Sequence, residues 1–262
     1  MVFLKNLRRI RNDQNGCYPY NVEAINNLNE ISFNSEVTFL IGENGCGKTT
    51  FLECLMLLTH TVDLIPKRYR SLDGAKTLSK SFEAIWNKKT ERGFYLKSQS
   101  FIKFVEQIET MKQETYDELE SLRESFKSRS RYALELAEGP YNKTLESLQQ
   151  RYGNGLDKMS HGEGYLEFFK SRLVPGGLYI LDEPELSLSP MRQLSLIALI
   201  KEMVKKDCQF IIITHSPILM AFENAMIYSF DDKIDTIDYN DIEHVNLTRD
   251  FLNDPQRFLR HL

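Results

Sequence analysis

Short apolar runs, each followed at once by glycine or polar residues, recur along this chain of 262 residues. The clearest occupy residues 37–41, 178–181 and 210–213. Apolar runs without polar alternation are typical of strands that are buried on both faces, as they are in parallel sheets covered by helices. The pattern therefore predicts an α/β fold, with a mostly parallel core sheet flanked by helices.

The remaining pattern predicts additions to this core. Residues 2–10 and 31–41 are expected to form strands of an N-terminal antiparallel β region. The polar and basic residues 62–90 favour a loop-rich excursion, and spaced apolar residues among charged ones at about 101–150 predict a short helical insert with a solvated polar face. We expect a single domain over residues 1–262 that carries this insert.

A complete phosphate-loop motif, GxxxxGK[ST], follows the first apolar run. Its glycines let consecutive backbone N–H groups curve around phosphates, while Lys48 reaches the β- and γ-oxygens and the Thr49 hydroxyl is placed to hold Mg²⁺. The apolar residues 51–58 suit a helix whose N-terminal dipole faces the same phosphates. The sequence thus predicts an ATP site made by Gly42, Glu43, Asn44, Gly45, Cys46, Gly47, Lys48, Thr49 and Thr50.

Two later strand ends carry the side chains that ATP hydrolysis requires. The second apolar run ends in Asp182 and Glu183, of which Asp182 would complete the Mg²⁺ shell and Glu183 would polarise the attacking water. The third run ends before His215, which would emerge at the carboxyl edge of the sheet, where ligands of open α/β folds bind. This histidine could hydrogen-bond the γ-phosphate or the water. A solvated strand end and a helix-cap histidine are the simpler alternatives.

A third polar segment lies between the phosphate loop and the acidic strand. Residues 159–164, MSHGEG, resemble the signature motif of ABC-type ATPases, in the Ser-x-Gly-Glu form of the branch with SMC-like, DNA-repair and OLD-type ATPases. The resemblance implies an ATP-dependent, head-to-tail homodimer. In it, Ser160 and Gly162 act in trans on the γ-phosphate held by the other subunit, and Glu163 belongs to the same nucleotide-binding motif. It also gives Gln99 the place of the Q-loop glutamine, whose amide touches Mg²⁺ and the attacking water.

Over nearly its whole length, the chain is similar to a family of compact bacterial predicted ATPases that are classed with AAA and ABC-type ATPases. The similarity is carried by the phosphate loop, the signature, the two strand ends, and residues 18–20 and 248–255. Two positions depart from related patterns, since Cys46 replaces the usual serine and Ser189 replaces the D-loop aspartate of transporters. The Pro-Glu and Leu-Ser-Pro pattern of residues 184–190 favours the OLD-like branch over the transporter branch. An insert of roughly fifty residues reaches only about 35–40 Å as a helical hairpin, so the long SMC coiled coil is not expected.

Composition and charge indicate the cellular compartment and the partners of the predicted ATPase. The chain is 42% hydrophobic, and we expect no transmembrane segment because no apolar run is long enough to cross a bilayer. Its four cysteines show neither metal-ligand spacing nor a paired framework, which favours a reducing cytoplasm. The formal net charge of −4 gives no bulk attraction to DNA. Basic clusters at residues 67–70 and 127–131 could still form a local nucleic-acid patch.

The sequence leaves three functions open. The first is a cytoplasmic ATPase whose ATP-driven dimerisation and hydrolysis-driven separation switch a protein partner or a nucleic-acid contact, in DNA maintenance or anti-phage defence. The second is the nucleotide-binding subunit of a membrane transporter, which the departure at Ser189 disfavours. The third is an ATP-dependent regulator with little turnover, for which stable dimers and slow hydrolysis would be the sign.

Overall fold

The computed structural model describes residues 1–11, 16–64, 72–126, 130–152, 161–231 and 233–260. Its strands are β1 (Leu4–Arg9), β2 (Glu30–Ser32), β3 (Val37–Ile41), β4 (Val62–Asp63), β5 (Phe82–Trp86), β6 (Gly93–Lys97), β7 (Leu178–Asp182), β8 (Gln209–Ile213), β9 (Met226–Ser229) and β10 (Asp235–Thr236). Its helices are α1 (Glu23–Asn27), α2 (Lys48–Thr59), α3 (Asp73–Ser79), α4 (Ser98–Ser125), α5 (Arg131–Tyr152), α6 (His161–Arg172), α7 (Pro190–Val204), α8 (Pro217–Met220), α9 (Glu243–Asn253) and α10 (Pro255–Leu259). Short 3₁₀ turns cover Pro184–Ser187 and Tyr239–Asp241. The chain divides into two compact units, Met1–Ser98 with Leu173–Leu262, and Gln99–Arg172.

A seven-stranded sheet in the order β10-β9-β3-β8-β7-β6-β4 forms the centre of the first unit. Its pairs are parallel from β9 to β4, whereas β10 pairs antiparallel with β9. Strands β3, β7 and β8 are buried at every position, which explains their mostly apolar sequence. The predicted α/β fold is confirmed, and the carboxyl ends of these three neighbouring strands lie along one edge of the sheet.

The N-terminal antiparallel region is a separate three-stranded sheet in the order β2-β1-β5, with both pairs antiparallel. The buried side chain of Gln209, at the start of β8, connects it to the main sheet. Gln209 Oε1 accepts hydrogen bonds from the N–H groups of Phe3 and Leu4 at 2.9 and 2.8 Å, and its Nε2 donates to the Leu4 carbonyl at 3.0 Å. These bonds satisfy an amide that would otherwise be costly to bury.

The expectation of a loop-rich excursion at residues 62–90 is wrong for much of its described part, because α3 and β5 lie there. Leu78 and Phe82 are only 0% and 2% exposed. Their burial in the core stabilises regular structure despite the polar composition around them. The basic residues at 67–70 and 127–129 lie outside the part of the chain that the structure describes.

The described residues of the second unit form helices α4, α5 and α6, with only single residues outside them. Helices α4 and α5 cover the charged segment and are joined by an ion pair between Arg123 Nε and Glu138 Oε1 at 2.6 Å. The ring of Phe101 in α4 lies 5.2 Å from that of Tyr165 and 5.0 Å from that of Phe168, both in α6. The single domain with an insert at about 101–150 stays a prediction. Among the described residues, no helix combines the length and the apolarity that crossing a membrane requires.

Candidate nucleotide-binding site

The phosphate loop joins the end of β3 to the start of α2 and depends on glycines in the left-handed region. Gly47, directly before α2, has a φ of +89°, and Gly42 has a φ of +139°. A Cβ on Gly42 would lie 3.1 Å from Cys46 Sγ and 3.2 Å from Asp231 Oδ1. Because L side chains rarely adopt these conformations, the turn requires glycine. It brings the chain into the N-terminus of α2, whose first N–H groups have no partner within the helix and suit an anion.

Lys48 folds back onto the loop that precedes it. Its Nζ donates to the carbonyl oxygens of Gly42 at 2.7 Å and Glu43 at 2.6 Å, and lies 3.5 Å from Cys46 Sγ. The residue is 5% exposed, so the oxygens of the loop stabilise its charge. Phosphate oxygens could replace them, because hydrogen bonds between two charged groups are stronger than those to a neutral carbonyl.

Asp182 connects the phosphate loop to the acidic strand. Its Oδ1 accepts a hydrogen bond from the Thr49 hydroxyl at 3.5 Å. Its Oδ2 accepts one from the Tyr95 hydroxyl at 3.3 Å and lies 3.5 Å from Lys97 Nζ. The residue is 1% exposed, and a carboxylate so deeply buried needs a cation such as this ammonium group. One oxygen of Asp182 therefore faces β6, while the other forms a pair of oxygen donors with Thr49.

Glu183 lies where β7 ends and the chain turns. Its φ is +52°, and its N–H donates to the Ile213 carbonyl at the end of β8 at 3.0 Å. Its Oε1 lies 3.7 Å from His215 Nε2. Burial and the adjacent charge of Asp182 raise the pKa of the Glu183 carboxyl above its ordinary value, against the opposing effect of Lys97. A carboxylate with a raised pKa is a better general base near neutral pH.

His215 follows β8 at the same edge of the sheet. Burial, followed by the electrostatic effects of Lys48 and His244, lowers the pKa of His215 below its ordinary value. The imidazole is therefore neutral at pH 7 and has one nitrogen that donates and one that accepts a hydrogen bond. The next residue, Ser216, caps α8 through its hydroxyl.

A comparison with protein families identifies the family of the chain. Residues 63–221, more than half of the chain, match the model of a family described as "AAA domain, putative AbiEii toxin, Type IV TA system". The chain belongs to this family. The matched segment contains the acidic strand and His215, and it begins after the phosphate loop.

Individual proteins are also similar to this AAA-domain chain. Over 28 residues, 11% of the chain, it is 64% identical to the DNA repair protein RAD50 of Drosophila melanogaster, and the match spans 2% of that protein. An Smc head domain derived from Pyrococcus furiosus aligns over 96% of this chain and 100% of its own, with 13% identity and a TM-score of 0.47. The protein cbiO1 from Clostridium perfringens, part of an ABC transporter complex, aligns over 100% of both chains, with 15% identity and a TM-score of 0.48.

The predicted site residues of this AAA-domain chain fall into two groups. The first unit brings the phosphate loop together with the side chains at the ends of β7 and β8. Gln99 is the first residue of the second unit, in the first turn of α4 and just after β6. Gly162 and Glu163 lie in α6 of the same unit, whereas Ser160 lies outside the described residues. The roles of these signature and Q-loop residues therefore remain predictions.

Sequence reasoning missed side chains that support the site. Asp231 accepts a hydrogen bond from the N–H of Glu43 at 3.3 Å, and Glu185 accepts one from the N–H of His215 at 2.6 Å. Neither contact has a local signal, because the partners come from different loops. Lys97 does carry such a signal, since it is a charged residue at the end of an apolar strand, like the acidic pair at the end of β7.

The oxygen donors at this site fit Mg²⁺. The Thr49 hydroxyl and Asp182 Oδ1 lie 3.5 Å apart, and Mg²⁺ prefers hard oxygen ligands. Within the described ranges, no group of three or more His, Cys, Asp or Glu side chains is arranged to hold a metal ion. Mg²⁺ in nucleotide sites is usually held by one or two protein groups, phosphate oxygens and water, which matches a site with two protein donors.

Proposed function

We propose that the protein binds ATP with Mg²⁺ at residues 42–50 and hydrolyses it, with Glu183 polarising the attacking water. One observation carries the proposal, namely that the Thr49 hydroxyl lies 3.5 Å from Asp182 Oδ1, so the phosphate loop and the acidic strand meet. Glu183 follows directly and shares this edge of the sheet with His215. Membership of a P-loop ATPase family supports the same class of reaction.

In this mechanism, water attacks the γ-phosphorus in line, and the protein contributes position and charge rather than covalent chemistry. Lys48 exchanges the loop carbonyls for β- and γ-phosphate oxygens and stabilises their developing charge. Glu183 orients the water and accepts its proton, while neutral His215 donates a hydrogen bond to the γ-phosphate or orients the same water. Thr49 and Asp182 would hold Mg²⁺, which when bound would neutralise charge on the phosphate oxygens.

A second subunit completes the site in our proposal. Ser160, Gly162 and Glu163 of one copy face the γ-phosphate held by the other, in a head-to-tail homodimer that forms with ATP. Gln99 would be a further ligand for Mg²⁺ and would orient the attacking water. The order of the motifs along the chain supports this arrangement. ATP binding would close the dimer and hydrolysis would open it.

Such a cycle suits a switch, and we propose that it acts in the cytoplasm on a protein partner or a nucleic-acid contact. DNA maintenance and defence against phage are the processes that we favour. The short similarity to a DNA repair protein supports the first, and a family description that includes a Type IV TA system supports the second.

Phosphate release from Mg-ATP tests the proposed reaction. The parent protein should hydrolyse ATP, whereas Lys48→Ala and the parent in EDTA should lose at least about tenfold, the effect of losing charge stabilisation at the phosphates. Lys201→Ala is the matched control, because this partly exposed lysine pairs with Glu223 at 3.0 Å outside the site. Equal hydrolysis by the parent and by Lys48→Ala would contradict the proposal.

A further inference from the structure

The hydrogen bonds between β7 and β8 continue beyond the two strands. Asp182 and Ile213 are the last residues in parallel register, and the N–H of Glu183 still donates to the Ile213 carbonyl at 3.0 Å. Beyond that point, the N–H of His215 donates to Glu185 Oε1 at 2.6 Å. A side-chain carboxylate therefore takes the place that a backbone carbonyl holds along the strands.

The path of the backbone after β7 explains why a side chain is used here. Glu183 has a left-handed φ of +52°, and Pro184 begins the 3₁₀ turn that follows it. Within this turn, the carbonyls of Glu183 and Glu185 accept hydrogen bonds from Leu186 and Leu188 at 3.2 and 2.8 Å. These carbonyls are engaged inside the turn, so the Glu185 carboxylate supplies the acceptor for the histidine backbone.

The loop that carries His215 is attached at two points. Burial raises the pKa of the Glu185 carboxyl, whereas hydrogen bonds, first that from the His215 backbone, lower it. Next along the chain, the Ser216 hydroxyl pairs with Gln193 Oε1 of α7 at 2.5 Å. Between these attachments the imidazole remains 41% exposed, and its Nε2 lies 3.7 Å from Glu183 Oε1.

We propose that Glu185 is a positioning residue, which fixes the backbone of His215 so that its imidazole and Glu183 meet the same water. The effect on rate rests on the hydrolysis proposed above, whereas the hydrogen bond itself does not. Glu185 does not touch the reacting atoms in this account, because Oε1 of its buried carboxylate accepts the hydrogen bond from the backbone of His215. It acts through the histidine.

Turnover by two variants tests the positioning role. Glu185→Ala removes the acceptor, whereas Glu185→Gln keeps a neutral acceptor of the same length. We expect kcat to fall about tenfold in Glu185→Ala and about threefold or less in Glu185→Gln, as for loss or weakening of a charge-assisted hydrogen bond. The KM for ATP should stay within about twofold, because the phosphate loop is unchanged.

Glu223→Ala is the matched control, since Glu223 is an exposed glutamate that pairs with Lys201 at 3.0 Å, and it should turn over like the parent. A parent-like kcat in Glu185→Ala, or a loss confined to KM, would overturn the inference. If Glu185→Ala fails to fold, Glu185→Asp can replace it, because its side chain is shorter by one methylene and moves the acceptor away from the His215 N–H. The same changes in kcat and KM are expected for Glu185→Asp as for Glu185→Ala.

A double-mutant cycle shows whether Glu185 acts through His215. In that case Glu185→Ala/His215→Ala should turn over at about the rate of His215→Ala alone, because the positioned group is already absent. Losses that multiply would mean that the two residues act independently, and would contradict the proposed role.

Amide hydrogen exchange separates this inference from the proposed function, since it requires no turnover. The His215 amide should exchange slowly in the parent and in Glu185→Gln, and faster in Glu185→Ala, while residues 37–41 of β3 stay unchanged as an internal reference. If no protein hydrolyses ATP but exchange rises at His215 in Glu185→Ala, the hydrogen bond stands and the proposed function fails. Unchanged exchange at His215 in Glu185→Ala would refute the positioning role, with or without hydrolysis.

Discussion

The substitution Glu183→Gln isolates the chemistry of the site, because it replaces one carboxylate oxygen by an amide nitrogen and preserves the shape. Glu183 lies outside the phosphate loop, and its Oε1 is 3.7 Å from His215 Nε2, which is too long for a strong hydrogen bond. The substitution therefore breaks no strong side-chain contact with the histidine. It removes the ability to accept a proton from water.

The expected loss is in turnover. Removing a general base lowers a rate by about 10²–10⁴-fold, which corresponds to about 2.7–5.4 kcal/mol of activation free energy. The affinity for ATP should change by less than about threefold, because Lys48 and the glycines of the loop are untouched. Two assays are made on parent and variant. Phosphate release measures turnover, and the binding of a fluorescent ATP analogue measures affinity.

The pH dependence of kcat and of thermal stability gives a second test of the role of Glu183. The pKa of Glu183 is raised in the fold above its ordinary 4.5, so parent kcat should fall as pH decreases through this raised pKa, and Glu183→Gln should lack that acid limb. Above the raised pKa the ionised carboxylate destabilises the fold, and below 4.5 it is protonated in both folded and unfolded states. Glu183→Gln should therefore melt higher than the parent at pH 7, but not at pH 4. Parent-like turnover by the variant would refute the assignment of Glu183.

Three further substitutions test the loop and the fold. Lys48→Ala should raise the Kd for ATP about 100-fold, the effect of about two lost charge-assisted hydrogen bonds, and an unchanged Kd in the same binding assay would exclude Lys48 from the site. Gly47→Ala should weaken binding at least about tenfold, since left-handed φ disfavours alanine and the new Cβ would lie 2.9 Å from Ile25 Cγ1; parent-like affinity would contradict the strained-loop argument. Gln209→Leu should lower the free energy of unfolding in urea by about 3 kcal/mol by leaving backbone groups of β1 unpaired, whereas the exposed Gln256→Leu should have little effect. Equal stability of the two glutamine variants would show that Gln209 does not hold the small sheet.

The core of the fold could be predicted because the sequence patterns that determine it lie within single short segments of the chain. A strand buried on both faces is mostly apolar, and the glycine turn into α2 follows from the φ values that only glycine adopts readily. The two carboxylates at the end of β7 and the histidine after β8 could likewise be assigned to one edge of the sheet. Parallel neighbours bring their carboxyl ends together.

What the sequence left undetermined depends on contacts between distant segments. The strand β5 was hidden by polar neighbours, and Phe82 became strand through its pairing with β1 and its burial. Similarly, the acceptor role of Glu185 depends on the left-handed backbone conformation of Glu183, which no residue type in this segment predicts. Lys97 was within reach of prediction, but its role required knowing that β6 is the neighbour of β7.

The central claim is an ATP site that is completed by a second copy of the chain, and light scattering after size exclusion tests it most directly. Without nucleotide, Glu183→Gln should have a mass near the 30.6 kDa of one chain, and with Mg-ATP its mass should double. Adding Ser160→Arg to this variant should abolish the doubling while leaving ATP bound. A mass that does not respond to nucleotide, or a doubling that survives Ser160→Arg, would contradict the account.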